Sequence, residues 1–242
     1  MPAAFTLDPG EELLLLGVTG STAYGLAHPG SDVDRQGVYC VPTETVLGLS
    51  FNANKASHVF TDPDDVQLHE IAKFVGLVLK GNPTVTELLF LAEYEVLDER
   101  MQPLIDIRSK LLGQRTIRAA YTGYAVAQAK RLANREAEGR KGFNSDLAKR
   151  TAKHARHCFR LMLQAEQLLT TGEIVLDVSE HRDELFAMGE LAERDVAAFQ
   201  ERFELRKAAI DALDSPMAEE ADAAAAERFL VEFRIAQLEL AE

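Results

Sequence analysis

The chain is short of cysteine, of long apolar runs and of positive charge, and each shortage removes a class of protein. Cys40 and Cys158 are its only cysteines, too few for a disulfide scaffold or a four-cysteine metal site. This usage suits a reducing compartment and leads to the expectation of a cytoplasmic protein. No apolar run approaches the roughly 20 residues of a membrane-spanning helix. The opening residues, MPAAFTLDPGEE, carry no basic stretch followed by an apolar one, so no secretory leader is expected. A net charge of −13 speaks against a protein that coats nucleic acid without selectivity.

What is present is an ordinary globular composition, 47% hydrophobic and 27% charged, over 242 residues. That length holds one large domain or two small ones with ample core. The charge is unevenly spread. Between Arg115 and Arg160 stand 12 Lys and Arg against three acids, Glu136, Glu138 and Asp146. A basic middle inside an acidic chain points to a local surface for phosphates.

The chemistry concentrates between Leu13 and Val41, LLLLGVTGSTAYGLAHPGSDVDRQGVYCV. The four leucines read as a strand buried on both faces. Gly20-Ser21 then forms a turn at which backbone approaches a ligand closely and the following amides face an anion. After a Pro29-Gly30 loop, a second strand is expected to carry Asp32 and Asp34 on one face, with Val33 pointing into the core. Adjacent carboxylates repel each other without a cation, and with Mg²⁺ they make a site of hard oxygen ligands that bridges to phosphates. A phosphate-cradling turn a dozen residues before such a pair is a layout for phosphoryl chemistry on a nucleotide. The plainer reading is that Pro29-Gly30-Ser31-Asp32 is a turn whose Asp and Ser bond their own backbone.

Gly20-Ser21, ten residues and then Asp32-Val33-Asp34 resembles the GS…DxD motif of the polymerase-beta-like nucleotidyltransferase superfamily. With Thr22-Ala23-Tyr24-Gly25-Leu26, Ser31 and Gly37-Val38, the string is similar to one group more narrowly. That group is the RNA-repair-pathway, or YcgL-like, predicted nucleotidyltransferases. Lys80-Gly81-Asn82-Pro83, followed by Glu87-Leu88-Leu89-Phe90, resembles the same group, as do Lys153, His157 and Arg160-Leu161 with Leu168 and Gly172-Glu173-Ile174. The likeness runs over roughly residues 13 to 175. The chain departs from it at Arg35-Gln36, where the group's pattern implies an aromatic and then an arginine. A phosphate role at the second position then falls away or passes to Arg35.

The resemblance implies a third carboxylate on a neighbouring strand, completing the metal site and accepting a proton. Asp65 is the first choice, because Asp65, Gln67 and His69 alternate with Val66 and Leu68 as in a half-buried strand. Glu70 is the runner-up. The competing reading has Asp62, Asp64 and Asp65 capping the helix expected over Ile71 to Leu79. A weak strand is expected at Ser57 to Phe60, a helix over Val85 to Leu91 and a short strand at Tyr94 to Leu97. Glu87 either pairs with a cation or lies on a solvated helix face.

From about Arg100 the apolar spacing is helical, with helices expected near 100–112, 115–136, 145–171, 180–192, 194–213 and 218–240. Lys153, His157 and Arg160 share one helix face, suited to a triphosphate or an RNA backbone. The alternative is a solvated face whose cations meet the chain's own acids. His157 is read as a packing or hydrogen-bonding group.

The expected fold is α+β: a mixed nucleotidyltransferase-type sheet domain over residues 1–98, then an all-helical domain over 99–242 that adds a basic substrate-binding face. The resemblance implies a two-metal nucleotidyltransferase using Mg²⁺ or Mn²⁺. It would transfer a nucleoside monophosphate from an NTP, ATP first among them, to a hydroxyl such as an RNA 3′ end. Asp32, Asp34 and Asp65 would hold metal, while Gly20, Ser21, Lys153, His157 and Arg160 would hold the nucleotide. Transfer to a protein or small molecule, and an inactive nucleotide-binding module, are the alternatives.

Overall fold

A computed structural model describes residues 5–49, 51–52, 56–61, 65–127 and 145–241. The chain forms two compact units, Met1–Gly113 with Ala221–Glu242, and Gln114–Glu220. In the first unit β1 (Glu12–Val18), α1 (Gly20–Ala23), β2 (Asp34–Cys40) and α2 (Thr43–Leu47) are followed by β3 (Ser57–Phe60) and β4 (Asp65–Glu70). Then come α3 (Ile71–Leu79), α4 (Pro83–Thr86), β5 (Val96–Leu97) and α5 (Gln102–Asp106). The second unit contributes α6 (Gln114–Ile117), α7 (Ser145–Thr171), α8 (Arg182–Arg194) and α9 (Val196–Asp211), and α10 (Ala223–Ala241) belongs to the first. The fold is α+β, a mixed sheet in the N-terminal half and helices in the C-terminal half.

The five strands run in the order β3-β4-β2-β1-β5. Among the described residues β2 and β4 pair in parallel, and the other pairs are antiparallel. Leu14, Leu15 and Leu16 are almost wholly buried, as a central strand's apolar run requires. Leu16, Tyr39, Val41, Val66 and Leu68 form one core cluster, joined by Phe5, Leu13 and Phe60. α3 packs on β2 and β4, and α10 packs on α2, α3 and α5.

Several expectations need correction. The second strand begins at Asp34, so Asp32 precedes it and Val33 is 40% exposed instead of lying in the core. Residues 28–31 are held in a turn by Ser31 N–H on His28 O and His28 N–H on Ser31 Oγ. Pairing with β1 ends at Val18 opposite Arg35, so the β1 ladder does not extend to Val33. The helix expected over 85–91 starts at Pro83 and tightens into a 3₁₀ turn, Glu87–Phe90. The one expected over 100–112 is broken into α5 and two flanking 3₁₀ turns. The helix expected near 115–136 is helical to residue 127, and its remainder lies outside the described residues. The boundary expected at 98/99 also differs, because the sheet unit keeps the chain to Gly113 and includes α10.

Besides its packing, α10 is tied to the sheet by one buried charge. Glu70 is wholly buried at the end of β4, where its carboxylate caps α3 by accepting from Ala72 N–H at 2.8 Å. Its other oxygen accepts from Arg234 of α10, whose second guanidinium nitrogen donates to Val41 O at 2.9 Å. A buried carboxylate with no cation is far more costly than one paired and hydrogen-bonded. Arg234→Met strands that charge and is expected to lower stability by about 3 kcal/mol. Denaturant unfolding of wild type and variant measures it, and a loss under about 0.5 kcal/mol would contradict the role given to the pair.

Candidate functional site

At the end of β1, Thr19 N–H donates to Asp34 O at 2.9 Å, tying the exit of β1 to the start of β2. Gly20 follows with φ +66°, a left-handed conformation that side chains resist. A Cβ on Gly20 would lie 2.2 Å from Asp34 Oδ2 and 3.1 Å from its Cγ. The glycine is therefore needed twice, for its backbone angle and for the room it leaves the carboxylate. Half-buried Ser21 comes next in α1, and its carbonyl accepts from Leu26 N–H at 2.9 Å.

The parallel register of β2 and β4 sets Asp34 directly opposite Asp65. Neighbouring strands lie about 4.8 Å apart, and like charges placed opposite each other destabilise a sheet. Asp32, Asp34 and Asp65 are all exposed, with Asp32 two residues upstream of Asp34 on irregular backbone. The fold thus brings together the Gly20 turn, Asp34 and Asp65 at one strand end.

Glu70 is not part of this group. It stands five residues further along β4, roughly 16 Å away at strand spacing, in register with Tyr39. Nor does Asp65 cap the following helix, since α3 begins at Ile71 under Glu70; Asp62 and Asp64 lie outside the described residues. Arg35 donates Nε–H to Glu95 at 2.8 Å, and strand alternation turns it to the face opposite Asp34. Gln36 shares the face of Asp34 and is buried.

Sequence reasoning left Glu87 undecided and missed its partner. Tyr24 O–H donates to Glu87 Oε2 at 2.6 Å, and Glu87 is 0% exposed. Both residues sit in motif strings, but 63 positions of separation leave no local pattern that would reveal the contact. A second missed group is Asp8, Glu11 and His58, whose potential ligand atoms lie within 4.8 Å of one another. His58 Nε2 and Glu11 Oε2 are 2.8 Å apart, and the His58 ring packs 4.7 Å from Tyr39. Glu12 pairs with Cys40, so this group sits by the far end of β2 from Asp34.

In the second unit, Lys153, His157 and Arg160 lie along α7 as expected, with unequal exposure. Lys153 is exposed, while Arg160 is 3% exposed and donates to His157 Nδ1 at 3.1 Å. Tyr124 meets the His157 ring edge-on at 5.6 Å. Burial pushes the His157 pKa down to about 3, aided by the charges of Arg160, His154 and Lys153. His157 is thus a neutral packing group. Other cations of the basic stretch are also engaged: Arg115 pairs with Glu219 and Glu220, Arg118 donates to Leu213 O at 2.6 Å, and Arg156 covers the Phe186 ring at 4.6 Å. Lys149 and Arg150 are exposed.

Comparison with known proteins bears on this arrangement. The family described as RNA repair pathway DNA polymerase beta family, RlaP, matches residues 4–230. The chain belongs to that family. Membership assigns it to the nucleotidyltransferases of polymerase-beta type. A solved nucleotidyltransferase-like protein from Exiguobacterium sibiricum 255-15 is similar at 13% identity over 91% of this chain and 73% of its own, with a TM-score of 0.32. No curated protein matches.

Two outcomes are expected for this RlaP member. Gly20→Ala forces a Cβ onto the Asp34 carboxylate at positive φ, and should cost about 1–2 kcal/mol or more in denaturant unfolding. Retention of wild-type stability would mean the turn is not held against Asp34. The unfolded chain protonates His157 near 6.5, whereas the folded chain does so only near 3. Its contribution is intact above 6.5 and is lost as pH falls from there toward 3. His157→Gln should flatten the fall of Tm with acid in this range, and an unchanged slope would refute it.

Proposed function

We propose that this chain transfers a nucleoside monophosphate from an NTP, ATP foremost, to a hydroxyl acceptor, with an RNA 3′ end as the leading candidate. The observation that carries the reading is the register of Asp34 opposite Asp65, beside a Gly20 turn that has no room for a side chain. The donor set fits a divalent metal. It is made of exposed carboxylate oxygens of like charge that gain from a hard cation, and Mg²⁺ or Mn²⁺ suits such ligands. Asp32, Asp34 and Asp65 would hold it. When bound, the metal supplies charge neutralisation for the attacking and leaving oxygens.

The chain's own residues do the remainder. The Gly20-Ser21 backbone and the Ser21 hydroxyl orient the β- and γ-phosphates. The acceptor oxygen attacks the α-phosphorus, the bond from that phosphorus to the α–β bridging oxygen breaks, and pyrophosphate departs. The Asp65 carboxylate takes the acceptor's proton. Lys149, Arg150 and Lys153 offer phosphate contacts to an RNA strand. A second reading, transfer to a protein or small-molecule hydroxyl, is favoured by the engagement of Arg115, Arg118, Arg156 and Arg160 in contacts within their own unit.

The test is pyrophosphate release with each NTP, Mg²⁺ or Mn²⁺, and a pool of RNA, followed by sequencing of the RNA ends. Asp34→Asn and Asp65→Asn are each expected to lower release by about 100-fold or more, since the group they hold is worth several kcal/mol. Mg²⁺ should also raise the Tm of wild type and not of Asp34→Asn. Wild-type rates in both variants would defeat the assignment. Release without extended RNA would favour the second reading.

A further inference from the structure

We infer that Tyr24 and Glu87 are positioning residues, whose buried hydrogen bond sets the nucleotide grip of the Gly20-Ser21 turn. This rests on the function proposed above and extends it to groups that touch neither nucleotide nor metal. α1 is only four residues long, and no side chain caps its N-terminal amides, while Thr19 ties that end to Asp34 O through its N–H and its hydroxyl. What fixes its other end is Tyr24, whose N–H donates to Gly20 O at 3.2 Å while its hydroxyl donates to Glu87 at 2.6 Å. Tyr24 is therefore joined to the residue that abuts Asp34 and, through its ring, to a different segment of the unit.

That segment is itself firmly placed. α3 ends in a turn in which Gly81 takes φ +64° and Asn82 N–H donates to Leu77 O at 3.0 Å. Asn82 Oδ1 then caps α4 by accepting from Val85 N–H at 3.3 Å, and Glu87 follows at the start of the 3₁₀ turn. Tyr94 O–H donates to Leu88 O at 2.8 Å, holding the far side of the turn. A second contact supports the same approach: a Cβ on Gly17 would lie 2.2 Å from Leu91 Cδ1, so this segment also closes on the end of β1. Residues 87–94 thus form the support behind residues 17–24.

The energetics favour a sensitive joint. A hydrogen bond to a buried carboxylate is stronger than one between neutral groups, and removing its donor leaves acceptor capacity shielded from water. Without it, the ring of Tyr24 still fills its site while the turn loses this tie to residues 87–94 and keeps its local backbone bonds. A shift of the turn alters phosphate affinity before it alters the chemical step, because Asp34 and Asp65 remain paired through the strand register. The expected signature is a rise in KM for NTP at nearly constant kcat.

The experiment measures NTP KM, kcat and Tm for wild type, Tyr24→Phe, Glu87→Leu, Glu87→Gln and Asp34→Asn. Val78→Ala, a buried change in α3 outside the site, provides a control for lost stability. Tyr24→Phe and Glu87→Leu should each raise KM by about tenfold, the scale of one lost charge-assisted bond. Glu87→Gln, which keeps an accepting oxygen, should recover most of that loss, and Val78→Ala should lower Tm without moving KM. An unchanged KM in Tyr24→Phe, alongside turnover that still depends on Asp34, would overturn this inference alone. So would equal KM changes in Val78→Ala. Wild-type turnover indifferent to Asp34→Asn would overturn the functional reading, and this inference with it.

Discussion

The parallel pairing of β2 with β4 decides which carboxylates of this acidic chain stand together. Side chains opposite one another in a parallel pair share a face, so one register choice places Asp34 beside Asp65 and sends Glu70 to the other end. A slip by a single residue would turn Asp65 to the opposite face and bring Val66 out of the core. The apolar alternation of Val66 and Leu68 against Tyr39 and Leu16 therefore enforces the polar arrangement at the strand ends. The site and the core are two consequences of the same register.

The two ends of β4 handle negative charge in opposite ways. Glu70 is withdrawn from water and is compensated inside the protein by Arg234 and the Ala72 amide. Asp65 stays exposed opposite Asp34. Burial without compensation would force neutralisation, whereas exposure lets a carboxylate stay charged at modest cost. Like charges on adjacent strands repel one another, and exposure to water keeps that cost small. The buried acid ties α10 to the sheet unit, and the exposed acids face solvent.

Local pattern made much of this legible. The strands at Ser57–Phe60 and from Asp65, the helix Ile71–Leu79 and the long helix Ser145–Thr171 follow from alternation or helical spacing, and the structure has them at those positions. The Gly20 turn was legible because glycine and its neighbours act within a few residues. What escaped is contact across the chain. Glu70 meets Arg234 at a separation of 164 residues, and Tyr24 meets Glu87 at 63. No periodicity encodes such pairs, so a buried glutamate reads in sequence like any acid on a helix or strand. Val33 failed for a related reason: alternation predicts a face only where a neighbouring strand continues the ladder.

Among the described residues of the basic stretch, several arginines are engaged within their own unit. Arg115 is neutralised by two glutamates, Arg118 binds backbone carbonyls, Arg156 lies over an aromatic ring and Arg160 is buried against His157. Guanidinium groups are suited to this internal use, since their planar fork satisfies carbonyls and stacks on rings at little desolvation cost. Among the described residues of α7, the exposed cations are Lys149, Arg150 and Lys153. Affinity for a long polyanion grows with the number of phosphates neutralised, so each arginine engaged within its own unit subtracts from what the sequence count suggests.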